Sequence, residues 1–428
     1  MINITKKTLL GAAVFAASIS AHSMSAPPQE IVPVSDDYRV MTYNIGNKES
    51  ANDARWEARY GAVIRAIEEN QADIIGVQEA YHSQLHALDH GYHYFGGEEG
   101  VAIVELWKDA EIELSDTHVR VGQGSGGLTI GKYNAIYIDK VRFDVLESGT
   151  RWFSVKGLKE SAFTAVVDKK VAEVSKDIAL DALSAGDAVD VDFSQFENRT
   201  LTYAKLFDKG TERTIWVFNT QMFEGTEETS KIVLSAARTL AVTQLRDFIF
   251  EKAKTGDVME PVVLLGSFGD NYLNLPMSIA LSQEVDGAAL KDDFYSLNQR
   301  WWAAGTPADD SETYHNYGQI SGVFGSPVYP VDWTYSGGQD AEGLEFRRIS
   351  SSIDKNQYLD YANGQLIYAS DHYPLVTEYS FDITKEQVRP EAPLESIEED
   401  IEEAFDSLSD DIEDVGESIK DFFGGWGW

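Results

Sequence analysis

The chain has 428 residues, 71 acidic against 35 basic, and a formal net charge of −36. That length suffices for one large or two ordinary domains with a sizeable core, and the absence of cysteine excludes disulfides and thiolate metal sites. The acidic field repels polyanions and no lysine- or arginine-rich run offers phosphate contacts, which disfavours nucleic acid as a partner and leaves solubility as the plainer meaning of the charge.

Residues 1–23 read as a bacterial export signal. Lys6 and Lys7 precede the apolar run LLGAAVFAAS, too short to span a bilayer, and Ala21 and Ser23 offer small residues for cleavage. An uncleaved anchor is the alternative. The expected mature chain is periplasmic or secreted, has no transmembrane segment, and carries 33 basic against 71 acidic residues, a net of −38. Residues 24–37 form a leader.

From residue 38 to 381, short apolar strands alternate with helices. YRVMTYNI and ADIIGVQEA read as strands around a helix, ARWEARYGAVIRAIEENQ, whose apolar stripe is Tyr60, Val63, Ile64 and Ile67. YNAIYIDK, TLTYAKLF, TIWVFNTQ, PVVLLGS, VDWTYS and YPLVTEYSF supply further strands, and TSKIVLSAARTLAVTQLRDFIFEKA is a second helix. Segments at about 154–198 and 339–366 break the pattern and read as insertions. Many strands with few helices point to a layered α/β or α+β domain.

After a linker at 382–393 the composition changes. Ile397, Ile401, Phe405, Leu408, Ile412, Val415, Ile419 and Phe422 recur at steps of four and three behind a Ser396/Glu399 capping box. Residues 391–428 hold 14 acidic residues and one lysine, and end in FFGGWGW. This acidic amphipathic helix, spanning 394–428 with its Trp-containing tail, either folds back on its own domain or offers residues 397–423 for self-association or a protein partner. Its acidic face is the wrong sign for anionic lipid.

Three further motifs stay open. GQGSGG at 122–127 is a flexible turn or, lacking a strand-loop-helix context, a weak phosphate cradle. His82, His86, His90 and His93 lie in what reads as a loop, either solvated or metal-binding. Trp301 and Trp302 serve a pocket rim or core packing equally well.

Several segments, taken in order, resemble the endonuclease/exonuclease/phosphatase superfamily. VMTYNI looks like its first strand, ending in the active-site asparagine, here Asn44. ADIIGVQEA looks like its second, ending in the metal-binding glutamate, here Glu79. The YNAIYIDKVRFDVLESGTRWFS, NRTLTYAKLFD, IWVFNT, PVVLLG, ETYHNYG, PVDWTYS and SDHYPLV segments follow in the family's sequence, with Asp332, Asp371 and His372 at its functional positions. The resemblance implies an α+β fold, a four-layer α/β/β/α sandwich of two packed mixed sheets. It also implies phosphoester hydrolysis with Mg²⁺ or another divalent cation on hard oxygen ligands. Glu79 would hold the metal, with Asp371 near the metal or the nucleophile. Asn44 would orient the phosphate or the metal's water, and His372, oriented by Asp332, would stabilise phosphate charge.

The departures from the family's pattern cluster. Ser267 and Gly269 stand where an aspartate base and its supporting asparagine are expected, Gln221 replaces a phosphate-contacting histidine, and Lys132 replaces the glutamate that orients it. Loss of a positioned base costs about 10²–10⁴ in rate. Asp270 is the nearest substitute base, ahead of Lys132 or Glu224. The reading favoured is a weakly active or non-catalytic binding protein with a phosphate-containing ligand and no required cofactor. The alternative is an active metal-dependent phosphoesterase with a rearranged base.

Overall fold

The computed structural model describes residues 36–46, 56–90, 93–97, 100–104, 113–127, 129–155, 196–223, 231–256, 258–269, 281, 290–292, 313–315, 317, 331–360, 365–382 and 384–385. The segments expected as an export signal (1–23) and as a tail helix (394–428), most of the expected leader and of the 154–198 segment, and Glu224, Asp270, Trp301 and Trp302 lie outside these residues.

The first sheet is built from β1 (Asp37–Asn44), β2 (Ile74–Ala80), β3 (His118–Val121), β4 (Tyr133–Asp139) and two late strands, with α1 (Trp56–Asn70) and α2 (His82–His90) in the early connections. The second holds β5 (Phe143–Phe153), β6 (Arg199–Asp208), β7 (Arg213–Gln221), β8 (Val262–Ser267) and β9 (Asp332–Gly337), with α3 (Lys231–Ala253) joining β7 to β8. The chain returns to the first sheet through β10 (Arg347–Ile353) and β11 (Leu375–Ser380). The spatial orders are β10-β11-β1-β2-β4-β3 and, from a two-residue strand at Lys291–Asp292, β9-β8-β7-β6-β5. β1 with β2 and β7 with β8 are parallel, and the other core pairs antiparallel.

Alternation along each strand makes the layers. Val40, Ile74, Ile136 and Ile138 from the first sheet meet Leu206, Val217, Val263 and Leu265 from the second in one apolar cluster. The intervening Met41, Tyr43, Ile75 and Val77 pack on α1 and α2 with Tyr60, Val63, Ile64 and Ile67. Trp216, Phe218, Val262 and Leu264 pack outward on α3. Side chains at period two point to opposite faces of a strand, so these three clusters are the boundaries of four layers, helix, sheet, sheet, helix. The expected sandwich is the observed one.

Two local features differ from expectation. Residues 82–90, read as loop, form a helix. Gln84, third in that helix, accepts the Tyr81 N–H through Oε1 at 3.0 Å, half of a capping box that lacks the serine or threonine by which such boxes are recognised. The segment expected as an insertion near 339–366 contributes β10, an edge strand of the first sheet. Among the described residues no helix is long and apolar enough to cross a membrane.

Toward the carboxyl ends of β1, β2 and β7 the inter-sheet face turns polar. Gln78 donates to Thr42 Oγ1 at 2.9 Å and across the interface to Asn219 Oδ1 at 2.7 Å. Asn219 Nδ2 returns to the carbonyls of Val77 and Ala135 at 3.0 and 2.7 Å. Gly76 makes room for this. A Cβ there would lie 2.9 Å from Leu265 Cδ1 and 3.0 Å from the Asn219 side chain, so only glycine lets the sheets close at this level. Beyond the seam lies the candidate site.

Candidate phosphate and metal site

Parallel pairing gathers strand ends. Asn44 closes β1, Glu79 stands one residue from the end of β2, and Gln221 and Ser267 close β7 and β8. The antiparallel β9 begins at the same end with Asp332. In register, Ser267 sits opposite Gln221 on one side and Asp332 on the other. Asn44, Gln221, Ser267 and Asp332 continue the inter-sheet rows of Val40, Val217, Val263 and Thr334, so a strand's alternation carries each side chain inward.

Glu79 reaches the site differently. By alternation it would follow Ile75 and Val77 toward the helices. The β2–β4 register shifts between Val77 and Ala80, and Glu79 takes φ +63°, a left-handed conformation costing a non-glycine residue about 1–2 kcal/mol. This bulge re-aims the carboxylate into the cluster, a use to which bulges beside functional sites are often put.

The carboxylate is then surrounded by N–H donors. Gln221 Nε2 donates to Oε1 at 2.6 Å and Asn44 Nδ2 to the same oxygen at 3.2 Å. Lys132 Nζ donates to Oε2 at 3.1 Å as an ion pair. Asn44 Nδ2 also lies 3.5 Å from Ser267 Oγ and 3.3 Å from His372 Nε2, while its Oδ1 accepts the Gly46 N–H at 2.9 Å.

On the other flank, His372 Nδ1 meets Asp332 Oδ2 at 2.7 Å, and the ring packs edge-on against Tyr314. Asp332 is fully buried. Thr313 Oγ1 accepts its backbone N–H at 3.0 Å, but its Oδ1 finds no hydrogen-bond partner among the described residues. Burial by itself would lower the His372 pKa. The charge and hydrogen bond of Asp332, joined by Asp371 and Glu79, raise it to about 9. The protonated ring has its Nε2–H turned toward Asn44, itself a donor, and so presents a positive N–H for an oxyanion. Asp371 borders the cluster, its Oδ1 held by Ser370 Oγ at 3.1 Å.

The structure thus brings Asn44, Glu79, Lys132, Gln221, Ser267, Asp332 and His372 together, with Asp371 at their edge; Asp270 and Glu224 lie outside the described residues. Gly269 has φ +69°, and a Cβ there would fall 2.3 Å from Arg238 Nη2. Arg238 is buried in α3 and donates from Nε to the Phe223 carbonyl at 2.8 Å, so any side chain at 269 would have to displace its guanidinium.

Divalent-metal chemistry fits this donor set poorly. Mg²⁺ wants near-octahedral oxygen ligands at about 2.0–2.1 Å, whereas both Glu79 oxygens already receive N–H donors, one of them an ammonium. No group of three or more His, Cys, Asp or Glu side chains placed to share an ion occurs among the described residues, and His82, His86 and His90 lie instead along α2, His86 and His90 ring to ring at 4.7 Å.

Sequence reasoning missed Arg59 and Arg238. Arg59 is buried in α1 and donates to the carbonyls of Ile45, Gly46 and Ala369, tying the end of β1 to the loop that carries Asp371 and His372. The signal was present: an arginine within the stripe of Trp56, Tyr60, Val63 and Ile67 must either break the helix's burial or be buried for a purpose.

Comparisons with known proteins agree with the geometry. The model of the Endonuclease/Exonuclease/phosphatase family matches residues 41–132, from within β1 to the residue before β4. No curated protein matches. An endonuclease/exonuclease/phosphatase from Bacteroides vulgatus superposes with a TM-score of 0.52 at 19% identity, covering 80% of this chain and 98% of its own. A family protein from Bacteroides thetaiotaomicron gives 0.53 at 17% identity, covering 81% and 98%. The chain therefore resembles the endonuclease/exonuclease/phosphatase superfamily in sequence over residues 41–132 and has its fold throughout the described domain.

Proposed function

We propose that this chain is an exported binding protein that recognises a phosphate-containing ligand at the strand-end cluster and turns it over weakly or not at all. The observation that carries the reading is Ser267. It closes β8 between Gln221 and Asp332, within 3.5 Å of Asn44, where the resemblance calls for a water-activating carboxylate. A general base must lie within about 2.6–3.2 Å of the proton it removes, and a serine hydroxyl does not take a proton at neutral pH. Gly269 has left-handed backbone, and a side chain there would have to displace the Arg238 guanidinium. What survives suits recognition: an imidazolium at His372 and amide donors at Asn44 and Gln221.

The second reading, a divalent-metal-dependent phosphoesterase with a rearranged base, has one specific support. The His372–Asp332 pair is intact at 2.7 Å, and a buried pair of this kind suits stabilisation of phosphoryl charge. Asp270 is the base that reading needs. A panel of phosphomonoesters and phosphodiesters with Mg²⁺, Mn²⁺ or Ca²⁺ separates the two. The binding-protein reading predicts at most weak turnover, little above a Glu79→Ala control. Efficient turnover by the wild type that vanishes in Glu79→Ala contradicts it.

A further inference from the structure

The glycine-rich segment at 122–131 has no part in the function proposed above, yet it is tightly built. Ser125 N donates to the Lys132 carbonyl at 2.9 Å, Gly126 N to Ile130 O at 2.9 Å and Gly127 N to Gly124 O at 3.0 Å. Trp152 Nε1 fastens the turn from outside through the Ser125 carbonyl at 3.1 Å. Side chains are excluded where the turn folds on itself. A Cβ on Gly124 would lie 2.2 Å from the Ile130 carbonyl, and one on Gly131, at φ +84°, 2.2 Å from Ser125 Oγ. The turn closes at Lys132, the residue immediately before β4, and the lysine's ammonium is delivered to Glu79 Oε2. A closed turn of this kind fixes where its flanking side chain goes, which a flexible loop does not.

We propose that Lys132 is the resident cation of this site: its tethered ammonium takes the place of a divalent ion on Glu79, so the site recognises phosphate without metal. The proposal rests on the phosphate-binding reading of the cluster and adds to the His372 imidazolium a second positive charge, on the carboxylate where metal-dependent relatives of the fold would place a divalent ion. Glu79 has one oxygen hydrogen-bonded by Gln221 and Asn44 and the other paired with Lys132, so a divalent ion on Glu79 would sit beside the ammonium and be repelled by it. Lys132 is also only partly exposed, its side chain retaining 26% of its surface, and a partly buried ammonium repels a second cation more strongly than a solvated one.

The test is a calorimetric titration of Mn²⁺ into the full chain. Wild type is expected to give no Glu79-dependent binding at millimolar Mn²⁺. Lys132→Met is expected to gain affinity by about tenfold or more, the gain disappearing in Lys132→Met/Glu79→Gln, while Lys132→Arg behaves as wild type. Binding of inorganic phosphate to the wild type is expected to be unchanged by EDTA. Mn²⁺ binding by the wild type that is lost in Glu79→Gln overturns the proposal, as does loss of phosphate binding in EDTA, and both are read without any variant at Lys132. Failure of the underlying reading is recognised separately: metal-free phosphoester turnover contradicts the non-catalytic function and leaves Lys132 as the site's cation.

Discussion

The sandwich carries a buried ionic cluster at each end, and the two are built to opposite purposes. At the end where β1, β2 and β7 begin, Arg142 is the hub. It donates to Asp208 at 2.9 Å and to the Asp37 carbonyl at 2.7 Å, pairs with Asp73 at 3.1 Å, and lies over the Tyr38 ring. Asp208, fully buried, is further bonded by the N–H groups of Gly210 and Thr211. Each carboxylate there is paired with Arg142. At the other end Glu79 is held in a left-handed conformation, Asp332 Oδ1 is buried without a hydrogen-bond partner among the described residues, and His372 Nε2 lies 3.3 Å from Asn44 Nδ2. Buried charge serves as a clamp when fully satisfied and as a receptor when one acceptor or donor is left for a visitor.

The largest expected effect breaks the clamp. Arg142→Met leaves Asp208 charged and buried, and removing one partner of such a pair costs about 3–5 kcal/mol. Urea unfolding of the variant should show a loss of that size; a loss under about 1 kcal/mol would make the two ends energetically alike.

Next comes pH. The folded-state pKa of His372 is about 9, above its ordinary 6.5, so the pair's stabilisation is complete below pH 6.5 and is lost as pH rises through 9. The swing is of the order of 3 kcal/mol. Unfolding midpoints measured across that range should fall in the wild type and stay flat in Asp332→Asn. The clamp runs the other way. Asp208 is held below its ordinary value because, against burial, the Gly210 N–H and Arg142 favour its charged form, so its contribution is present above pH 3.8 and lost in acid; Asp73, raised by burial, opposes it. A wild type whose alkaline slope survives in Asp332→Asn would remove His372 as the cause.

A smaller effect probes the loop after β8. Gly269→Ala forces a side chain into left-handed backbone against Arg238, at a cost of about 1–2 kcal/mol from the conformation alone. A double-mutant cycle with Arg238→Ala should show positive coupling, the second change relieving part of the first. Additive effects would mean the guanidinium is not what excludes a side chain. The smallest effect is expected at Lys132. Its pair with Glu79 is partly solvated, and Lys132→Met should change stability by less than about 1 kcal/mol, so any cation binding it gains is read on a folded protein.

Much of this was legible in the sequence because period-two and helical patterns are local. The strands ending at Asn44, Gln221 and Ser267 follow from apolar alternation bounded by polar residues, as does the α1 stripe. Motif order indicated which residues meet across strands, and Asn44, Glu79, Asp332 and His372 do meet. The rest depended on tertiary context. The Glu79 bulge needs the β4 partner strand to define a register, and β10, Arg-Arg-Ile-Ser-Ser-Ser-Ile, carries little apolar alternation because it forms a sheet edge. Lys132 was visible as a departure, but its ion pair with Glu79 depends on a turn closed by backbone hydrogen bonds.

The most direct measurement is anomalous diffraction at the manganese edge from crystals soaked in Mn²⁺, comparing wild type with Lys132→Met. No peak is expected beside Glu79 in the wild type, with the lysine still in place, and a peak is expected there once the ammonium is removed. A wild-type peak on Glu79 with Lys132 swung aside would contradict this expectation.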